Sequence, residues 1–186
     1  MRLLTLGLLF VLSLNATLMA QDTKKLPYYE IPEAAETYTA GTSISRMIDG
    51  LGFRYYWATE GLRPEDLAYK PSASSRTSGD TIEHLFGLSN FILSTVIKDY
   101  KPVDGTEMTF EQKRKQTLLN YKKASDILRA TDDILEINHN KFPFWNVING
   151  PIADALWHCG QVVMLRRASG NPFNSKVSVF SGTLRE

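Results

Sequence analysis

Residues 146–172, NVINGPIADALWHCGQVVMLRRASGNP, set the reading of the whole chain. Apolar side chains crowd the middle of this stretch. Gly170 can adopt the left-handed closing conformation and Pro172 bars continuation, so the stretch reads as one helix from about Asn146 or Val147 to Ala168. Three more segments of helical period precede it. Ile44, Met47, Ile48, Leu51 and Tyr55 form one stripe of a helix over about 43–60, with Gly50 and Gly52 small enough to admit another helix closely. Asp80 and Glu83 make a capping-box pattern ahead of Ile82, Leu85, Phe86, Phe91, Ile92 and Val96, a helix that ends near Lys98. Thr109 and Gln112 repeat the pattern ahead of a helix running through Arg129, with Leu118, Leu119, Ala124, Ile127 and Leu128 inward.

The segments between these are short. Gly61 stops the first helix, Arg63 to Asp66 begins a single turn, and 132–137 reads as a further short helix. Only Lys176 to Phe180 alternates polar and apolar residues, as an extended segment packed on the helices would. Helices of these lengths with so few strand signals predict an all-α chain folded as an antiparallel four-helix bundle.

The N-terminus has a different character. Arg2 precedes an almost purely apolar run from Leu3 to Leu14, and Leu18-Met19-Ala20 resembles a signal-peptidase site. The run is about a dozen residues, against the roughly twenty that span a bilayer, so residues 1–20 read as a signal peptide rather than a membrane anchor. With no cysteine near the cut there is no lipid anchor either. The expected division is therefore signal peptide 1–20, an extended arm 21–42, the helical domain 43–172 and a tail 173–186, in a periplasmic or secreted protein.

Composition excludes several functions. The 186 residues are 43% hydrophobic and 22% charged, which suits one globular domain. Lys and Arg number 21 against 20 Asp and Glu, and the leader would remove one arginine and no acid. A formally neutral chain lacks the basic face that a general nucleic-acid binder needs. A single cysteine, Cys159, excludes an internal disulfide framework and an all-cysteine zinc site.

Histidine is the informative residue. There are three, and two of them, His84 and His158, lie inside apolar helices, while His139 sits in a polar connection. Asp154 precedes His158 by four residues, which places both on one helix face about 6 Å apart along the axis. Two readings follow. A carboxylate and an imidazole so spaced can converge on a divalent ion, with His84 as third ligand from a facing helix. They can equally form a plain Asp154–His158 pair. Cys159 points about 100° away from His158 and reads as a small core residue. Glu83 reads as a cap, and Phe142, Phe144, Trp145, Trp157, Tyr55, Tyr56 and Trp57 read as core or as a pocket mouth. Arg166 and Arg167 could orient an anion, with surface roles the simpler reading. There is no Gly-rich phosphate loop, G-x-S-x-G elbow or H-E-x-x-H.

Three stretches, in order, carry a resemblance: YWATEGLRPEDLAYKP at 56–71, DTIEHL at 80–85 and ALWHCGQVVMLRRASG at 155–170. With the helix lengths between them, they resemble the DinB-like superfamily of four-helix bundles over about residues 43–172. The resemblance implies a divalent metal, zinc, nickel or manganese, held by a helix-two histidine and a helix-four pair; carried across, these are His84, Asp154 and His158. The family commonly has histidine where Asp154 stands. An aspartate there tilts preference toward oxygen-tolerant metals such as manganese, or marks a member that has lost its metal. Relatives include metal-dependent enzymes acting on low-molecular-weight thiols, which are scarce outside the cytosol. The expectation is therefore a metal-dependent hydrolase or transferase of a small molecule, with a homodimer implied by analogy. The rival is a non-catalytic bundle with a degenerate site.

Overall fold

The computed structural model describes residues 25–139 and 141–186. The signal peptide expected at 1–20 lies outside the described residues, as does the start of the arm. The described chain is mostly helical: α1 (Ala40–Thr59), α2 (Pro64–Ala68), α3 (Ser78–Val96), α4 (Phe110–Arg129), α5 (Ile134–Ile137), α6 (Phe144–Val147) and α7 (Ala153–Ala168). A two-stranded antiparallel ribbon closes the chain, β1 (Val177–Ser178) with β2 (Thr183–Leu184), pairing Val177 with Leu184. Of the four long helices, α1 and α3 each pack against both α4 and α7. No helix among the described residues is long and apolar enough to cross a membrane.

The caps explain the helix starts. Thr39, Thr77 and Thr109 each accept from the backbone N–H three residues on, and Thr42, Asp80 and Gln112 return the bond. The Thr109–Gln112 box is the one expected from the sequence. The helix carrying His84 starts earlier than expected: Asp80 is the returning partner of Thr77, and Glu83 pairs instead with Lys113 of α4. Likewise α1 begins at Ala40, three residues before Ser43.

Leu51, Phe53 and Tyr55 of α1, Leu85 and Ile92 of α3, Leu118 and Leu128 of α4, and Val162 of α7 are all essentially sealed from solvent. Each such side chain contributes about 1.5–3 kcal/mol through the surface it removes from water. Met47, Phe91 and Leu119, expected inward, lie at the margins of their stripes and are partly exposed. Gly52 admits a close neighbour, but it is a ring of the arm rather than a helix: a Cβ there would lie 2.4 Å from Tyr28. Tyr28 is buried and donates to Asp49, which also accepts from Ser125 and pairs with Arg129. Burial foremost, then the Asp49 carboxylate, pushes the Tyr28 phenol well above its usual range.

Two clamps hold the C-terminal end of α1. Arg114 of α4 donates to Thr59 Oγ1 and the Tyr56 carbonyl and pairs with Glu60. Arg166 of α7 is buried, not superficial, and its Nη1 lies 3.0–3.1 Å from the carbonyls of Trp57, Ala58 and Glu60. These are the orphan carbonyls of a helix end, where a cation is also favoured by the helix dipole. Arg167, by contrast, is exposed and lies over the ring of Phe173.

Asp66 ties α2 to the end of α7. It accepts two bonds from the Arg63 guanidinium at 2.9 Å, one from Ser169 Oγ at 2.6 Å and one from Asn171 Nδ2 at 2.7 Å. The Arg63 guanidinium foremost, helped by Ser169 and Asn171 and opposed by burial, holds the Asp66 carboxyl far below the usual carboxylate range. A depressed carboxyl stabilises the fold above its unfolded-state value of about 3.9, and that contribution fades as pH falls through and below it. Urea unfolding at pH 7 and pH 3 should therefore show Asp66→Asn clearly weaker than the parent at pH 7, with the gap narrowing at pH 3.

The last long helix is not uniform. Between α6 and α7 the backbone makes a π-turn over Ile148–Ile152, containing Pro151, with helical dihedrals at both junctions. Proline has no N–H to donate, and the wider turn accommodates that loss without ending the helical run. Gly170, at φ +84°, terminates α7 as expected. In the tail, Val177 is buried, but Phe180 projects fully into solvent at the ribbon turn instead of packing on the helices. Gly182, at φ +74°, passes against Ile31 of the arm and accepts its N–H at 2.9 Å.

A candidate metal centre between two helices

The direct packing of α3 against α7 brings His84, Asp154 and His158 together. His84 Nε2 lies 3.1 Å from Asp154 Oδ2, and His158 Nε2 lies 3.3 Å from Asp154 Oδ1. The two imidazoles meet edge to face with centroids 4.7 Å apart. One donor atom from each of the three residues falls within 4.8 Å of the others. Donors about 2.1 Å from a shared ion stand about 3.0–3.4 Å apart when adjacent and about 4.2 Å apart when opposite, so the three side chains would close in to enclose one. Asp154 and His158 share the face of α7 set by their four-residue spacing; His84 reaches them from the second turn of α3. His158 is the most enclosed of the three, at 15% side-chain exposure.

The hydrogen bonding of His158 is the most telling detail. Its Nδ1 lies 2.7 Å from Gln161 Oε1, while its Nε2 faces Asp154. Both ring nitrogens thus look onto oxygen acceptors, and a neutral imidazole has one N–H to give. A cation at the Nε2 side satisfies both nitrogens, with Nδ1–H donating to Gln161; so does an imidazolium donating to both oxygens, or a Gln161 amide turned to offer its N–H to Nδ1. The first is the arrangement that fixes the ring of a metal-bound histidine. Two imidazole nitrogens and a carboxylate oxygen suit a divalent ion of the zinc, nickel or manganese class. In the sequence Gln161 stands out only as part of a motif; its position three residues after His158 is the available signal for this partnership.

Other candidate residues fall elsewhere. His139 is exposed in the connection after α5. Cys159 is buried, and burial pushes its thiol up to about 12, which removes it as a nucleophile near neutral pH. Tyr55, Tyr56, Trp57 and Phe144 are core, but Trp145 and Trp157 are not: each is 73% exposed. Trp157 instead stands on the wall of an open cleft of about 750 Å³ that reaches His158 and Gln161.

The three sequence stretches that suggest a family are physically joined. Asp66 and Arg166 lock the first to the third, and His84 brings the second against Asp154 and His158. Compared with family models, with curated proteins and with solved structures, the chain matches none of them.

Proposed function

We propose that this protein is an exported member of the DinB-like superfamily, its residues 43–172 an antiparallel four-helix bundle built around a divalent-metal site. It acts as a metal-dependent hydrolase or transferase on a small molecule, works as a homodimer outside the cytosol, and is freed from its leader after Ala20. The observation that carries this reading is the convergence of His84, Asp154 and His158, with acceptors on both nitrogens of His158. A bound divalent ion supplies Lewis acidity at that point. The chain's own part is to hold the donors: α7 presents Asp154 and His158 on one face, Gln161 fixes the His158 ring, and α3 contributes His84. The adjoining cleft gives a small molecule access to the same edge.

A second reading has one observation in its favour. Asp154 already touches both histidines, and a carboxylate between two imidazole N–H donors is complete without an ion. On that reading the helices are a non-catalytic scaffold. Thermal unfolding separates the two. Zinc, manganese or nickel at about a hundred times its dissociation constant should stabilise the protein by about 2.7 kcal/mol, reversed by a chelator and absent in His84→Ala. Gln161→Leu should weaken ion binding by about 10–100-fold, the usual cost of losing the partner that orients a ligand histidine. No shift with any of the three ions would leave the scaffold reading.

A further inference from the structure

The cleft beside His158 has an unusual lining. One wall is the loop after α2 and the start of α3, with Arg76 at its rim; the other is the exposed side of α7. On α7, Trp157 and Met164 are 73% and 62% exposed, one above the other seven residues apart. Gly160 lies between them, and a Cβ there would meet nothing within 4 Å, so the floor between the two side chains is open. A tryptophan and a methionine left together in water on one helix stripe mark a surface meant to be covered. The cleft volume is that of a small-molecule site, not of a chain-sized groove.

Charge selects the occupant. Arg76 is the one fixed charge in the lining, and no carboxylate accompanies it there. Arg76 is exposed and makes no hydrogen bond or ion pair with any described residue. The nearby Asp80 carboxylate is engaged at the Thr77 N–H as part of the helix cap; its bonds to Thr77 foremost, with Arg76 ahead of Lys70 among the charges, favour its ionised form. A free guanidinium facing an apolar wall suits a ligand with a carboxylate or similar anionic head and an apolar body.

We propose that this cleft binds a small organic anion with an aromatic or aliphatic body, its charged head on Arg76 and its body on Trp157 and Met164. That the anion is a substrate rests on the metal-centre reading above; that it binds does not. The test is a titration followed by the Trp157 indole N–H resonance, with 4-phenylbutanoate, 4-phenylbutan-1-ol and 4-phenylbutylamine as probes. The anion should bind about tenfold or more tighter than the alcohol, and the amine weakest. Arg76→Gln should erase the preference for the anion while leaving the alcohol within about twofold, and Trp157→Ala, which lacks the reporting indole and is followed by isothermal calorimetry, should weaken both. Titrated in the presence of a chelator, His84→Ala should leave the anion's affinity intact, so a failed metal site and a failed cleft give different results. Equal affinity for anion and alcohol, or an unchanged preference in Arg76→Gln, would overturn the proposal. So would a dimer that Trp157→Ala converts to monomer while no probe moves the resonance, since α7 would then face a second copy.

Discussion

Arg166→Met should destabilise the protein by about 3–5 kcal/mol, the range for removing one member of a buried charged arrangement. The methionine fills a similar volume but leaves the carbonyls of Trp57, Ala58 and Glu60 without their shared donor, and the Asn171 carbonyl without the 2.7 Å bond from Nε. Each carbonyl stranded away from water costs about 1–3 kcal/mol. For a chain of this size the melting temperature should fall by about 10 °C. Arg166→Lys should recover little, because one ammonium cannot reproduce a planar fork that serves α1 and Asn171 together. Arg167→Met, next in sequence, should cost under about 1 kcal/mol, since Arg167 is exposed and offers only a ring contact. Calorimetry of the three variants checks the contrast.

Asp154→Ala should lower ion affinity by well over the roughly 100-fold that follows loss of an orienting partner, because under the proposed function it removes a ligand itself. Asp154 is partly exposed, so its loss should leave helical circular dichroism and the melting temperature of the metal-free protein close to the parent. Asp154→His should keep an ion bound and shift preference from manganese toward zinc, as a nitrogen donor replaces an oxygen. Competitive titration with a zinc-sensitive chelator gives both values. An Asp154→Ala protein that binds zinc as tightly as the parent would remove Asp154 from the ligand set.

Much of this molecule is legible in its residues because helix signals are local. The Thr109–Gln112 box, the Gly170 stop and the α2 turn after Arg63 all depend on neighbours within four positions, and all stand where the sequence predicts them. The capping box of α3 is displaced from its expected position because Asp80-x-x-Glu83 and Thr77-x-x-Asp80 both satisfy the pattern, and only the fold gives Glu83 to Lys113. Arg166 departs from its expected surface role, and Trp145 and Trp157 from the core half of theirs, because residue type gives only average burial; Trp157 stands on the cleft wall, the other reading open to it. The spacing of Asp154 and His158 sets their common face, but it does not say that His84 meets them. That depends on the packing of α3 on α7. The π-turn at Ile148–Ile152 has only Pro151 as its sign, and a proline alone does not distinguish a wide turn from a kink.

The metal content of protein purified without a nickel column, measured by elemental analysis beside His84→Ala, bears most directly on the centre. Close to one divalent ion per chain in the parent, and none in the variant at unchanged helical content, is the expected result. A parent that stays metal-free after incubation with zinc, manganese and nickel would contradict it.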